Sequence, residues 1–387
     1  MKDDSIIVST KHVPLRVVLF VIACIVALAA FSYAIASLGK KSEGLQVVAE
    51  SPDAQAPIYG NDYELKIYFR GSSNEIKEEM KRVQDCYSTV LQRAYKLLDA
   101  ANEYENYPNL ATINHNPGKE VEVNEELYAV LKDAVERTEK QEGYSMFAGA
   151  LYRYWYSILI LEHPEDFDPL LHEEEAERIG RLARMTAEPE HFALTFGENG
   201  SRTVRLDISA QYQELLEDLE IPYEVLDLNL LKDAYLLQLV ARVLEENGYT
   251  EGYLTAESGL CVTLSGYDKA QYCVYELTDS GVALKKTLPA KPGSAASVFR
   301  AFPLREKEAY FCRIEKDGKV YYRNPYVTLG EEGFHNLIQN ACVISETDPV
   351  DAVYTNIRLH ACENTEQVEQ IMLENAQYTY DISFFRK

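Results

Sequence analysis

The sequence predicts an α+β fold, with one apolar helix near the N-terminus followed by a single domain in which helices pack against a largely antiparallel sheet. Three observations point there. Val17 to Ala36 is an uncharged run long enough, at about 1.5 Å per residue, to cross the roughly 30 Å hydrocarbon core of a membrane. Apolar residues make up 47% of the 387 and charged residues 26%, ordinary globular usage that permits a sizeable core and excludes a disordered or disulfide-dense chain. Beyond the apolar run, strand-like and helix-like segments do not strictly alternate, which argues against a doubly wound parallel sheet.

The expected organisation is a cytoplasmic tail at 1–16, a membrane anchor at 17–36, a linker at 37–61 and the domain at 62–387. Lys2, Lys11 and Arg16 precede the apolar run and Lys40 and Lys41 follow it, which favours a cytoplasmic N-terminus and an extracytoplasmic bulk, in a single-pass cell-membrane protein. Ala34-Ile35-Ala36 also fits a cleaved signal peptide, and Val21-Ile22-Ala23-Cys24 resembles a lipoprotein signal. The linker is polar and interrupted by Pro52 and Pro57.

Tyr63 to Arg70 alternates with period two and reads as a strand, and 74–104 carries apolar positions at helical spacing. Asn124 before Glu125 and Glu126 is an N-cap with an acidic first turn, and Leu127, Val130, Leu131, Ala134 and Val135 form one helical stripe. Tyr152 and Trp155, three apart in an aromatic run, are core candidates. His191–Phe196 and Thr203–Leu206 flank a turn-like Gly197-Glu198-Asn199-Gly200 and read as a hairpin. Asn229 to Asn247 is helical and stopped by Gly248, and several short β runs between Tyr253 and Tyr322 form an antiparallel meander. Asp348 with Pro349 starts another helix, Asn364 with Gln367 makes a capping box, and Tyr378 to Phe385 closes as a strand.

Against 38 basic side chains stand 62 acidic ones, a formal net charge of −24 with no segregated basic patch, so the chain is not expected to bind nucleic acid. The seven cysteines show no zinc spacing; most read as small buried hydrophobes, although Cys261 and Cys273 lie in neighbouring expected strands and could pair. Asp351 and Thr355 are four apart on one helix face, a spacing that could chelate a hard cation such as Mg²⁺ or simply place an acidic residue in a first turn. His163, Glu165, Asp166, Asp168, His172 and Glu173 to Glu175 are dense, but no H-E-x-x-H is present and a solvated acidic helix start explains them. Neither a Walker sequence, G-x-G-x-x-G nor G-x-S-x-G occurs. Arg323, between Tyr322 and Asn324, could bind an anion, stack on a ring or serve as a surface ion-pair partner.

From Tyr63 to Glu369 the order of segments resembles the ApbE-type FAD:protein FMN transferases. Pro108 to Asn114 looks like the family's x-x-L-S-R-I-N, and Gly143 to Trp155 occupies the place of its G-x-F-D-P-T…L…W. Leu226 to Tyr235 stands where the family has L-D-L-G-G-I-A-K-G-Y, and Asp351-Ala352-Val353-Tyr354-Thr355 is similar to D-A-L-S-T. The resemblance implies an extracytoplasmic α+β domain that uses Mg²⁺ to move FMN from FAD to a protein threonine. It places the metal on Asp351, Thr355 and the backbone carbonyl of Leu230, and flavin contacts near Asp233, Tyr235, Glu257 and Arg323.

The same resemblance marks the departures. Asp233 stands for the family's flavin-contacting Lys, Asn229, Leu230 and Ala234 for its glycines, and Glu257-Ser258-Gly259 for its G-G-D. Gly318 to Arg323 replaces G-K-x-Y-S-H and puts Arg323 at the catalytic His, while D-P-x-T-G survives only as Gly330. Arginine stays protonated and cannot accept a threonine proton. The expected function is therefore that of a divergent, membrane-anchored family member with impaired or lost flavin transfer, acting as a flavin-binding or scaffold protein. The alternative is active Mg²⁺-dependent transfer from FAD to a threonine of a membrane redox protein.

Overall fold

The computed structural model describes residues 42–51, 63–198, 200–305, 308, 310–329, 334, 337–346 and 348–385. The apolar run 17–36 expected to cross a membrane and the tail before it lie outside the described residues, as do most of the expected linker, Gly330 and Lys387. No helix among the described residues is long and apolar enough to cross a membrane.

Two compact units are distinguished among the described residues, a large one within 45–68 and 82–385 and a small one that includes 42–44 and 69–81. Within the small unit, Glu75 accepts hydrogen bonds from the backbone N (2.8 Å) and Oγ (2.7 Å) of Ser72 and so caps the start of a helix.

In chain order the elements are β1 (Gly44–Val48), β2 (Tyr63–Phe69), α1 (Ser73–Leu98), α2 (Leu110–Asn114), β3 (Val121–Glu122), α3 (Glu125–Glu139), α4 (Gly149–Leu159) and α5 (Glu173–Ala187). There follow β4 (Phe192–Phe196), β5 (Thr203–Ile208), α6 (Ala210–Asp218), α7 (Lys232–Glu246), β6 (Gly252–Ala256), β7 (Leu260–Thr263), β8 (Gln271–Thr278) and β9 (Gly281–Pro289). The chain closes with β10 (Ala295–Arg300), β11 (Cys312–Lys316), β12 (Lys319–Arg323), β13 (Ile338–Ser345), α8 (Pro349–His360), α9 (Thr365–Glu374) and β14 (Thr379–Phe384).

The expected caps are present. Asn124 Oδ1 accepts from Leu127 N at 2.8 Å, and α3 buries Leu127, Val130, Leu131 and Ala134. Asp348 accepts from Val350 N at 2.8 Å with Pro349 as the first helical residue. Asn364 accepts from Gln367 N at 3.0 Å, but Gln367 reaches back to Glu363 N rather than to Asn364 N. Several features differ from expectation, among them β13, a main-sheet strand beyond the meander expected at Tyr253–Tyr322. The stretch 37–61 contains β1; Asn229–Leu231 is a separate 3₁₀ turn before α7; and α6 follows the β4–β5 hairpin, started by Ser209 accepting from Tyr212 N.

The main sheet runs β1-β2-β6-β7-β10-β13-β14, with antiparallel pairing at every junction from β2 to β14. Helix α8 packs on β13 and β10, and α7 packs on α8, β6 and β7. Ala341 and Val343 face a cluster with Leu359, Val368 and Ile371, while Cys342, Ile344 and Ala296 join a second cluster with Tyr272 and Val274 of the β8–β9 hairpin. Both faces of β13 are thus covered, and all eight of its residues are buried.

Trp155 and Tyr152 are buried in α4, and Trp155 Nε1 donates to the Asn324 carbonyl at 2.8 Å. Cys261 and Cys273 do not pair: Cys261 opposes Ala296 in the main sheet, whereas Cys273 opposes Thr287 in the hairpin and is exposed. Burial pushes the Cys261 thiol up to about 12, so it behaves as a small hydrophobe.

Candidate functional site

The turn Asp227–Leu231 is fixed from several directions. Asn114, the last residue of α2, accepts from Leu226 N (3.0 Å) and donates to Leu226 O (2.8 Å) and Ala100 O (3.0 Å). Asp227 N donates to Met146 O at 2.8 Å, and the Asp227 carboxylate accepts from Asn229 N (2.8 Å) and Arg153 Nε (3.2 Å). Asn229 has φ +51°, a left-handed conformation that asparagine tolerates better than most side chains. It therefore keeps the backbone course that glycine would allow. Its Nδ2 also donates to Ser145 O at 3.2 Å.

This turn packs on α8, which brings Leu230 beside the helix carrying Asp351 and Thr355. Thr355 is buried one turn beyond Asp351. Asp351 is engaged by other side chains: its Oδ1 lies 2.9 Å from Arg137 Nη2, and its Oδ2 accepts from Tyr378 OH at 3.0 Å. Arg137 comes from α3, where it also grips Asp133 four residues earlier, Nε to Oδ2 at 2.8 Å and Nη2 to Oδ1 at 3.2 Å. Tyr235, buried on α7, donates to the same Asp133 Oδ2. The Tyr354 ring lies over the guanidinium, with 5.1 Å from its centroid to Cζ.

The Arg137 side chain is 9% exposed, against 40% for Asp133 and 35% for Asp351. Burial opposes its charge, but the Asp133 hydrogen bond and the surrounding carboxylates hold its pKa above the ordinary arginine value. Burial, then the neighbouring Tyr144 and Asp133, raises the Tyr235 hydroxyl, which remains a donor. Burial likewise raises Asp348, whose Oδ1 accepts from Gln238 Nε2 at 3.2 Å.

Of the other sequence candidates, Arg323 and Asp233 bond to residues outside this cluster. Arg323 is buried at the end of β12 in a forked pair with Asp168, Nε to Oδ2 at 2.7 Å and Nη2 to Oδ1 at 3.2 Å, with side chains 4% and 2% exposed. Its Cζ lies 4.7 Å from the Phe334 ring centroid, so the guanidinium is both neutralised and stacked. Asp168 is thus not part of a solvated acidic face. Asp233 accepts from Tyr63 OH at 2.7 Å in the first turn of α7. Glu257 is exposed in the β6–β7 turn. That turn needs Gly259, where φ is +92° and a Cβ would stand 2.2 Å from Val298 O.

The donor set does not fit Mg²⁺, because both oxygens of Asp351 are engaged and a divalent ion there would adjoin a buried guanidinium. Among the described residues no group of three or more His, Cys, Asp or Glu is arranged to hold a metal. Of the residues that the resemblance assigns to flavin, Arg323 is paired with Asp168, and Asp233 and Glu257 bring carboxylates rather than donors, a set unsuited to a diphosphate.

Sequence reasoning missed Asp133, Arg137, Tyr378 and the role of Asp168. Arg137 did carry a signal, since it falls three residues after Ala134 and seven after Val130 on the buried stripe of α3, where a charge requires a partner. Tyr378 and Asp168 come from distant segments and carried none.

No protein-family model matches the chain, and no curated protein does. Solved structures do. The apbe protein from Thermotoga maritima is similar with TM-score 0.55 and 14% identity, covering 83% of this chain and 90% of that one. The flavin transferase ApbE from Vibrio cholerae gives 0.54 and 11%, covering 88% and 97%, and the Pseudomonas stutzeri flavinyl transferase ApbE in its apo form gives 0.55 and 12%, covering 90% and 93%. The chain thus has the fold of the ApbE flavin transferases.

Proposed function

We propose that this chain is a divergent relative of the ApbE flavin transferases that keeps their fold without FMN transfer, and serves as an extracytoplasmic scaffold tethered by its N-terminal helix. The observation that carries the reading is the buried Arg323–Asp168 pair. Arginine replaces the histidine expected at this position, and a guanidinium cannot accept the proton of an attacking hydroxyl. Forked side-on to Asp168 through Nε and Nη2 and buried with it, the guanidinium already has its charge met by a carboxylate, which disfavours a phosphate there. The engagement of Asp351 by Arg137 and Tyr378 supports the same reading from the metal side.

The direct test is incubation of the full chain with FAD, Mg²⁺ and a threonine-bearing acceptor peptide, read by intact mass. No FMN adduct is expected on peptide or protein. An adduct that forms only with Mg²⁺ would overturn the proposal and restore active transfer to a membrane redox protein.

A further inference from the structure

Asp133 Oδ1 and Asp351 Oδ1 share one atom, Arg137 Nη2, at 3.2 and 2.9 Å. The two carboxylates come from different helices and converge where a single cation can bridge them. The tyrosine hydroxyls complete the arrangement: Tyr235 donates to Asp133 and Tyr378 to Asp351, each orienting an acid that already faces the guanidinium. Two acids side by side in a partly desolvated position repel each other unless a positive charge stands between them.

We infer that Arg137 is the resident cation of this site, an internal guanidinium that occupies the place a divalent ion would take between Asp133 and Asp351, and that its removal opens a divalent-cation site. A plain surface ion pair would differ in two respects. Its cation would be solvated, and it would touch one acid rather than two; Arg137 is buried, forked to Asp133 through Nε and Nη2, with the same Nη2 2.9 Å from Asp351 Oδ1. Vacating it leaves two carboxylates within reach of one ion, the hard-oxygen arrangement that Mg²⁺ and Mn²⁺ take together with water. Lys140, whose Nζ is 5.6 Å from the Tyr354 ring, is the nearby flexible cation that could follow into the gap.

The inference extends the non-transfer reading to the cation site but is tested separately, since the experiment contains neither FAD nor acceptor. The full chain and its Arg137→Gln, Arg137→Lys, Arg137→Gln/Lys140→Gln and Arg137→Gln/Lys140→Gln/Asp351→Asn variants are titrated with Mn²⁺. Thermal midpoint and the Mn²⁺ electron-resonance signal are followed. The native chain and Arg137→Lys should show no saturable response. Arg137→Gln/Lys140→Gln should melt lower than the native chain and recover by about 5 °C on binding Mn²⁺, a response the Asp351→Asn variant loses. If these glutamine variants do not fold unaided, refolding yield in Mn²⁺ against EDTA is the same readout. A yield or midpoint equal in Mn²⁺ and EDTA would overturn the inference, as would Mn²⁺ binding by the native chain.

Discussion

Taking a guanidinium out of water costs several kcal/mol unless its hydrogen bonds and charge are met, and Arg137 and Arg323 meet that condition against aspartates. For Arg323 the consequence is testable without any ligand. Asp168→Asn leaves a buried, uncompensated charge and should lower the unfolding free energy by about 3–5 kcal/mol in urea titration, whereas Asp168→Leu/Arg323→Met should lie close to the native chain. Equal losses in the single and double variants would show that the pair is not acting as a unit. Residue identity alone could not reveal this. Arg323 and Asp168 are separated by 155 positions, and Asp168 sat in an acidic run that solvation explained well enough. Arg137 was more legible, because it interrupts an apolar stripe. At Asn229 φ is positive, a conformation that glycine and asparagine tolerate better than other residues.

Helix α8 and the sheet beneath it show what periodicity can and cannot give. The cap at Asp348 and the proline after it mark the helix start in the sequence, and the structure starts α8 there. Strand β13 is different: covered by α8 on one face and by the β8–β9 hairpin on the other, it has no alternation to detect. Its interior amides replace missing partners, with Gln339 bonding Leu277 N and O and Asn340 bonding Tyr275 O. The end of α8 is equally enclosed. His360 lies between the rings of Phe299 and Tyr326, each 5.8 Å away, and burial pushes its pKa down to about 4. The folded chain therefore holds it neutral where the unfolded chain, near 6.5, begins to protonate it. Its contribution is complete above pH 6.5 and is lost as the pH falls toward 4. Between pH 7 and 4 the native chain should lose on the order of 3 kcal/mol more unfolding free energy than His360→Phe, measured by urea titration at each pH. Parallel pH profiles would contradict a buried neutral imidazole.

Across the whole chain, the α+β class and the short antiparallel strands between Tyr253 and Tyr322 were legible because strand and helix periods, caps and turn residues are local signals, although those strands divide among three sheets instead of forming one meander. The strand order was not, since β10 pairs with β7 and β13 across intervening hairpins that no local pattern specifies. Function lies further still from sequence pattern. The fold of the ApbE flavin transferases is kept, while Asp351 is engaged by Arg137 and Tyr378 and Arg323 by Asp168. The central claim is that this site takes neither Mg²⁺ nor FAD. Its most direct test is an absorbance and thermal-shift titration of the full-length chain with FAD, in Mg²⁺ and in EDTA. The account predicts an unchanged flavin spectrum and the same midpoint in both conditions. Saturable FAD binding that appears with Mg²⁺ and vanishes with EDTA would contradict it.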